Sequence, residues 1–321
     1  SSDVCSSDLN LLFTLNIVAP VFLIVFLGAL LRLRHQINDE FSNMASKIIF
    51  NVALPVLIFL KLSAVNMVEL LNVNQIVFCY GFTVVLYLII WYFGKFWIKD
   101  GASLGAFIQG SVRSNYAIIG LTFAWALYGD YGLSKAAILL SAIIPINNVL
   151  SVVALTVPQN DYDVLGVKKI VGAILSNPLI IATIAAIPFS LFNWPLHDVI
   201  IKTGGDLSAM TLPLALLAIG GSLTLSSIRN DLTQSLVSSG IKLVVLPLVT
   251  VPAAVYFGFV KEDLLSIFLL FATPTAVASY VMAQAMGSNG KLAGSIVLVS
   301  TLASTVTIAA GIFLLKVYGL L

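Results

Sequence analysis

Charge is scarce in this chain. Of its 321 residues only 9% are Asp, Glu, Lys or Arg and 60% are hydrophobic, whereas an ordinary soluble domain carries about 25% charged residues. So few charges cannot cover a water-facing surface. The net charge of +2 excludes the dense cationic footprint that nucleic acid requires. Cysteine is nearly absent too. Cys5 lies in a polar leader and Cys79 in an apolar run, which excludes a disulfide framework or a Cys-rich metal site and leaves Cys79 as a small core hydrophobe.

What the chain has in abundance is long apolar runs. A helix needs about 20 apolar residues to cross the hydrocarbon core of a bilayer, and such runs recur with short polar breaks. They are Asn10 to Leu33, Phe41 to Ala64, Asn74 to Trp97, Ala102 to Tyr128, Leu133 to Val157, Val167 to Phe192, Gly205 to Leu225, Gln234 to Phe257, Asp263 to Met286 and Leu292 to Tyr318. This predicts an all-α polytopic membrane protein of ten spans with the lipid bilayer as its solvent. Residues 1–9, with Ser-Ser-Asp twice, look unlike the rest and are set aside as a non-native leader. The first run is too long for a cleavable signal and lacks a basic n-region, so it is read as a span. An even number of spans puts both termini on one side. With both outside, the cytoplasmic loops hold nine Lys and Arg, including Arg32, Arg34, Lys168 and Lys169, against five outside, including Lys61 and Lys135. That excess predicts an N-out, C-out orientation.

The breaks repeat with a period of five spans. Leu54-Pro55 in the second span matches Leu212-Pro213 in the seventh, and Gly129-Asp130-Tyr131-Gly132 after the fourth matches Gly287-Ser288-Asn289-Gly290 after the ninth. An odd-numbered repeat inverts its second copy in the membrane, as in many secondary transporters. Residues 10–157 and 167–321 are therefore predicted as two inverted five-helix repeats joined by a short cytoplasmic linker at 158–166.

Polar residues concentrate within the fourth and ninth spans. Arg113-Ser114-Asn115-Tyr116 sits near the middle of one, and Thr273-Pro274-Thr275 at the matching depth of the other, with Ser279 following. Arginine at a helix centre costs about 2.5 to 3.5 kcal/mol on insertion scales and so needs a partner or a watered cavity. Proline removes a backbone donor and breaks or kinks its helix. Two broken spans would present free N–H groups near Ala117 and Ala276, the positive poles of half-helices that suit an anion. Asn115, Tyr116, Thr273, Thr275 and Ser279 would orient it by hydrogen bonds, and Pro145-Ile146-Asn147-Asn148 adds a further polar kink. All 14 acidic residues fall in loops, at span ends or in the leader, so no intramembrane carboxylate relay is predicted and the sign pattern favours a small organic anion. Lys242 lies within the eighth span, where it either snorkels to an interface or joins the site. Pro55, Pro145 and Pro213 are read as hinges or as static kinks. The sequence implies no cofactor and no metal site, and leaves both Na+ and H+ open as a coupling ion.

The stretches PVFLIVFLGALLRLRHQINDEFSNMASKIIFNVALPVLIF, RSNYAIIGLTFAWALYG, SNPLIIA, LPLALLAIGGSL and TPTAVASYVMAQAMG resemble the auxin efflux carrier family over essentially all of Asn10 to Tyr318. The resemblance implies ten spans in two inverted repeats, with spans 1, 2, 6 and 7 as scaffold, spans 3 to 5 and 8 to 10 as the transport part, and spans 4 and 9 crossing beside the substrate. It also implies a homodimer in a bacterial plasma membrane, carrying a mono- or dicarboxylate by alternating access, as an exporter with an elevator-like or rocking motion. The long central loop of the plant members is missing, and Arg113-Ser114-Asn115-Tyr116 stands where they have an Asn-Pro-x-x-Tyr type motif.

Two other classes fit the residues less well. Gly101-Ala102-Ser103-Leu104-Gly105 fits the G-x-S-x-G elbow of a hydrolase, but it opens an apolar helix without a preceding strand, and His35 and His197 fall in loops on opposite membrane faces. The glycines are read instead as close helix packing. A passive channel or receptor-like module is the alternative to a carrier; channels more often show polar rings contributed by symmetric subunits.

Overall fold

The structure is a computed structural model, and the residues it describes are 20, 23–64, 72–159, 172, 175–222 and 225–321. The expected leader, half of the first span, the 158–166 linker beyond Gln159 and the start of the sixth span lie outside them. The described helices are α1 (Leu23–Leu33), α2 (Asp39–Ser63), α3 (Val73–Trp97), α4 (Gly101–Val112), α5 (Tyr116–Gly129), α6 (Tyr131–Gln159), α7 (Pro178–Phe192), α8 (Asp198–Gly221), α9 (Asp231–Tyr256), α10 (Lys261–Ala272), α11 (Val277–Ala285) and α12 (Gly290–Val317). Among the described residues there is no strand, and the six helices α2, α3, α6, α8, α9 and α12 are long and apolar enough to cross a membrane.

Short polar side chains set the helix starts. Asn38 Oδ1 accepts from Phe41 N–H at 2.8 Å, Asp100 Oδ2 from Ser103 N–H at 2.8 Å, Asn177 Oδ1 from Leu179 N–H at 3.0 Å and Asn289 Oδ1 from Leu292 N–H at 2.9 Å. Asn72 does the same for α3 and His197 for α8. Each cap satisfies one of the N–H groups that a first turn leaves open. The His197 cap corrects an expected boundary: the seventh span begins at Asp198 and not at Gly205. The stretch 198–204, with Lys202 and Thr203, lies ahead of the expected span, yet it is helical because its cap and first turn are complete. That helix turns at Met210 and restarts at Thr211, which puts Pro213 in a first turn, where its missing N–H costs nothing. The expected eighth span likewise starts earlier than Gln234: helix runs from Leu225 into α9.

Two prolines widen their helices. Leu54 N–H reaches back five residues to Ile49 O just before Pro55, and Leu246 N–H reaches Ile241 O just before Pro247. These π-turns adjust the ladder where a ring has displaced a normal bond.

Outward faces are apolar: Phe26, Val77, Leu88, Phe93, Leu248 and Val306 are each exposed by 60% or more. A soluble protein would bury such a band. Aromatic rings gather at helix ends, with Tyr92, Phe96 and Trp97 at the end of α3, Phe192 and Trp194 after α7, and Tyr256 and Phe257 at the end of α9, the arrangement of membrane-interface belts. Inside, small residues let helices touch. A Cβ on Gly220 would lie 2.0 Å from Val25 O, and one on Gly101 or Gly105 would lie 1.8 Å from Pro158 O or 2.6 Å from Ala154 O. The glycines of the G-x-S-x-G match are thus contact points of α4 on the end of α6.

Candidate functional site

The runs expected as the fourth and ninth spans are interrupted within the protein. Arg113 to Asn115 separates α4 from α5, and Thr273 to Ala276 separates α10 from α11. The two gaps lie against each other as a single antiparallel bridge, Ser114 opposite Thr275. Asn115 N–H donates to Pro274 O at 2.7 Å and Ala276 N–H to Arg113 O at 3.2 Å. Thr275 strengthens the junction twice, its Oγ1 donating to Gly110 O at 2.6 Å and its N–H to Ser300 Oγ at 3.1 Å. The Ser114 and Thr273 hydroxyls are hydrogen-bonded to each other. Groups that helix breaks would leave unpaired at membrane depth, at several kcal/mol each, are therefore satisfied largely by the opposite break.

One set of groups is left open. Unlike the six capped helices, neither Asn115 at the start of α5 nor Ala276 at the start of α11 offers a side-chain cap. The first-turn N–H groups of Tyr116 and Ala117, and of Val277 and Ala278, have no acceptor within their own helices, and a partial positive charge collects at both ends.

Beside them lies a cavity of about 370 Å³. One wall carries Arg113, Ser114, Asn115, Tyr116, Ala117, Asn147, Asn148 and the start of α11; the other is formed by α2 and α8 through Leu54, Leu57, Ile58, Leu212 and Ala215. Lys61, exposed at the end of α2, stands among the lining residues, as do Ser208 and Thr211.

Arg113 is held entirely by neutral groups. Its Nη1 donates to Ser151 Oγ at 3.0 Å and to Met282 Sδ at 2.9 Å, and its Nη2 to Asn148 Oδ1 at 3.0 Å. The ion pairs among the described residues are Arg32–Asp39 and Lys135–Asp263, so no described carboxylate neutralises this guanidinium. Asn148 is fully buried, and with Oδ1 committed to Arg113 its Nδ2 donor has no partner; the Oδ1 acceptor of Asn147 has none either. Side by side on the cavity wall, one residue calls for an acceptor and its neighbour for a donor.

The residues singled out from sequence divide accordingly. Arg113, Ser114, Asn115, Tyr116, Asn147 and Asn148 meet at the cavity. Thr273, Pro274, Thr275 and Ser279 do not line it: the two threonines and Pro274 are spent on the junction, and Ser279 is buried in the first turn of α11 with its hydroxyl unpartnered. Lys242 neither snorkels nor reaches the cavity. It is fully buried, and its Nζ donates to Phe271 O at 3.0 Å and Leu270 O at 3.3 Å. Ser151, Met282 and Thr211 were not foreseen. The i, i+3 spacing of Asn148 and Ser151 on one helix face was the available signal for the first; Met282 and Thr211 give none, being ordinary residues of apolar helices.

A family model described as membrane transport protein matches residues 13–164 and 164–312. A protein of Methanocaldococcus jannaschii named as an uncharacterized transporter is 22% identical over 307 residues, which span 92% of this chain and 96% of that one. With the apolar helices described above, these matches over nearly the whole length show that the chain belongs to the membrane transport protein family, that of the auxin efflux carriers, and is a multi-pass membrane transporter rather than an enzyme.

Proposed function

We propose that the chain is a secondary carrier of a small organic anion, a mono- or dicarboxylate, bound at the cavity beside the paired helix breaks. The observation that carries this reading is Arg113: a guanidinium inside the protein, bonded to neutral partners, next to two uncapped helix starts and the free Nδ2 of Asn148. A partly buried cation without a counter-charge is costly, and a bound carboxylate would neutralise it, accept from the open N–H groups and meet the Asn148 donor. A cavity of about 370 Å³ falls within the usual range for small-molecule sites.

The wider architecture proposed is ten spans in two inverted five-helix repeats, with residues 158–166 between them, both termini outside and export across the plasma membrane as the direction. Two features support the repeat. The breaks fall at corresponding places, and each is followed by a Gly-x-x-Gly end whose first glycine has positive φ, 59° at Gly129 and 73° at Gly287, while its last packs against the preceding helix, Gly132 on Ala124 O and Gly290 on Gln284. Alternating access would move the helices bearing the breaks against the α2 and α8 wall.

Purified protein in liposomes tests the reading. Saturable uptake of a labelled carboxylate, accelerated by unlabelled carboxylate on the far side, is expected; a linear, non-saturating ion conductance would replace the carrier with a channel. Candidate substrates can first be ranked by their thermal stabilisation of the protein, since a ligand that binds the folded state raises its apparent stability.

A further inference from the structure

We propose that the Lys242 ammonium serves as a resident monovalent cation, covalently tethered at the end of α10, and that this transporter therefore operates without Na+. The geometry begins with Pro274. In a continuous helix Leu270 O would accept from the N–H of residue 274, which proline lacks, and Phe271 O would accept from Thr275 N–H, which instead donates to Ser300 Oγ at 3.1 Å. Two adjacent carbonyls at the negative pole of a half-helix are left without their helical donors. Lys242 Nζ supplies both bonds, at 3.3 Å to Leu270 O and 3.0 Å to Phe271 O.

Such carbonyls, at the C-terminal end of an interrupted membrane helix, are where transporters built from half-helices hold Na+. The ammonium brings the same single charge to oxygen ligands of the same kind. It is fully buried, and the ion pairs among the described residues lie elsewhere, so the carbonyl dipoles serve as its counter-charge. The π-turn Ile241–Val245 ahead of Pro247 contains Lys242, and one turn earlier Ser239 holds a buried hydroxyl without a partner. Unlike a free ion, a tethered one neither enters nor leaves, so the position contributes fixed charge to every step of the cycle. The inference concerns the cation alone and holds whichever anion the cavity takes.

The test reads thermal unfolding of the purified, ligand-free protein in NaCl, KCl, methylammonium chloride and choline chloride at equal ionic strength. Wild type is expected to melt at the same temperature in all four. Lys242→Ala is expected to melt lower in choline and to regain about 3 °C or more, saturably, with Na+ or methylammonium, which are small enough to fill the vacated position. Lys242→Gln, which keeps one donor and loses the charge, is the second variant should the alanine protein fail to fold, with the same cation-specific recovery expected. A wild-type protein stabilised specifically by Na+, or variants that show no cation-specific recovery, would overturn the proposal. Transport of any anion is not needed for the readout, so a failed substrate screen leaves this test intact.

Discussion

Replacing Arg113 with Met separates what the guanidinium does for the fold from what it does for a ligand. In the ligand-free protein the side chain makes three hydrogen bonds, but two of its partners have others: Ser151 Oγ is also shared with Tyr87 Oη at 3.3 Å, and Met282 Sδ accepts from Gln109 Nε2 at 3.4 Å. Only Asn148 Oδ1 loses its one partner, a cost of about 1 to 3 kcal/mol for an unmet buried acceptor. Against that, the variant removes a partly buried charge whose desolvation, partly compensated by these bonds, amounts to about 1 to 3 kcal/mol. The two effects nearly cancel, so the Arg113→Met protein should melt within about 5 °C of wild type. Its affinity for a carboxylate should fall steeply, because losing one partner of a buried charge pair costs about 2 to 5 kcal/mol, or about 30-fold to a few thousandfold in Kd. Calorimetry with a carboxylate that stabilises wild type, beside melting curves of the free proteins, measures both. A variant that melts 10 °C lower and still binds with unchanged affinity would make Arg113 a purely structural residue and refute the anion site.

Asn148→Asp would hand the guanidinium a carboxylate at the position of the present 3.0 Å bond; the melting temperature should rise and carboxylate affinity should fall about tenfold or more, and unchanged affinity would mean that the anion does not pair with Arg113. Gly129→Ala should destabilise by about 1 to 3 kcal/mol in melting experiments although a Cβ there meets nothing within 4 Å, since φ 59° and ψ −149° suit glycine alone; Gly81→Ala, in open space within α3, should be neutral or mildly stabilising, and equal effects would contradict this account. Asp100, between α3 and α4, is held below the ordinary carboxylate value by the Ser103 hydroxyl and the backbone N–H groups of Ser103 and Ala102. Because its folded pKa is depressed, its contribution is complete above the unfolded value and is lost as pH falls through the folded one, below about pH 4. Asp100→Asn keeps the cap and should remove that part of the acid dependence when melting is followed against pH.

Hydropathy located most of the described helices because a membrane span needs little more than length and apolarity. It misjudged the start of α8, where a complete His197 cap outweighs a polar first half. Both helix breaks could be read from residues, one from proline chemistry at Pro274 and one from a charge at span depth at Arg113. Which side chains of a break face the cavity could not, because the 3.6-residue repeat that predicts facing ends at the break itself: Thr273 and Thr275 turn into the junction while Asn115 lines the cavity. Lys242 remained open for a related reason. Its position fixed a depth but not a direction, and only the diverted carbonyls of Leu270 and Phe271 reveal why it turns inward.

The reciprocal bonds between Asn115 and Pro274 and between Ala276 and Arg113 couple the two interruptions mechanically. Pulling them apart would strip backbone groups of their partners in a medium that offers no replacement, so in the proposed cycle the pair would move as one block. A tug on either helix start would be shared at once by the other, and load from the proposed anion would be distributed over four helix segments. Relative motion of the proposed kind would then be cheapest along the facing Leu54, Ile58, Leu212 and Ala215 surface, where side-chain contacts lack direction and can be exchanged step by step without breaking a hydrogen bond.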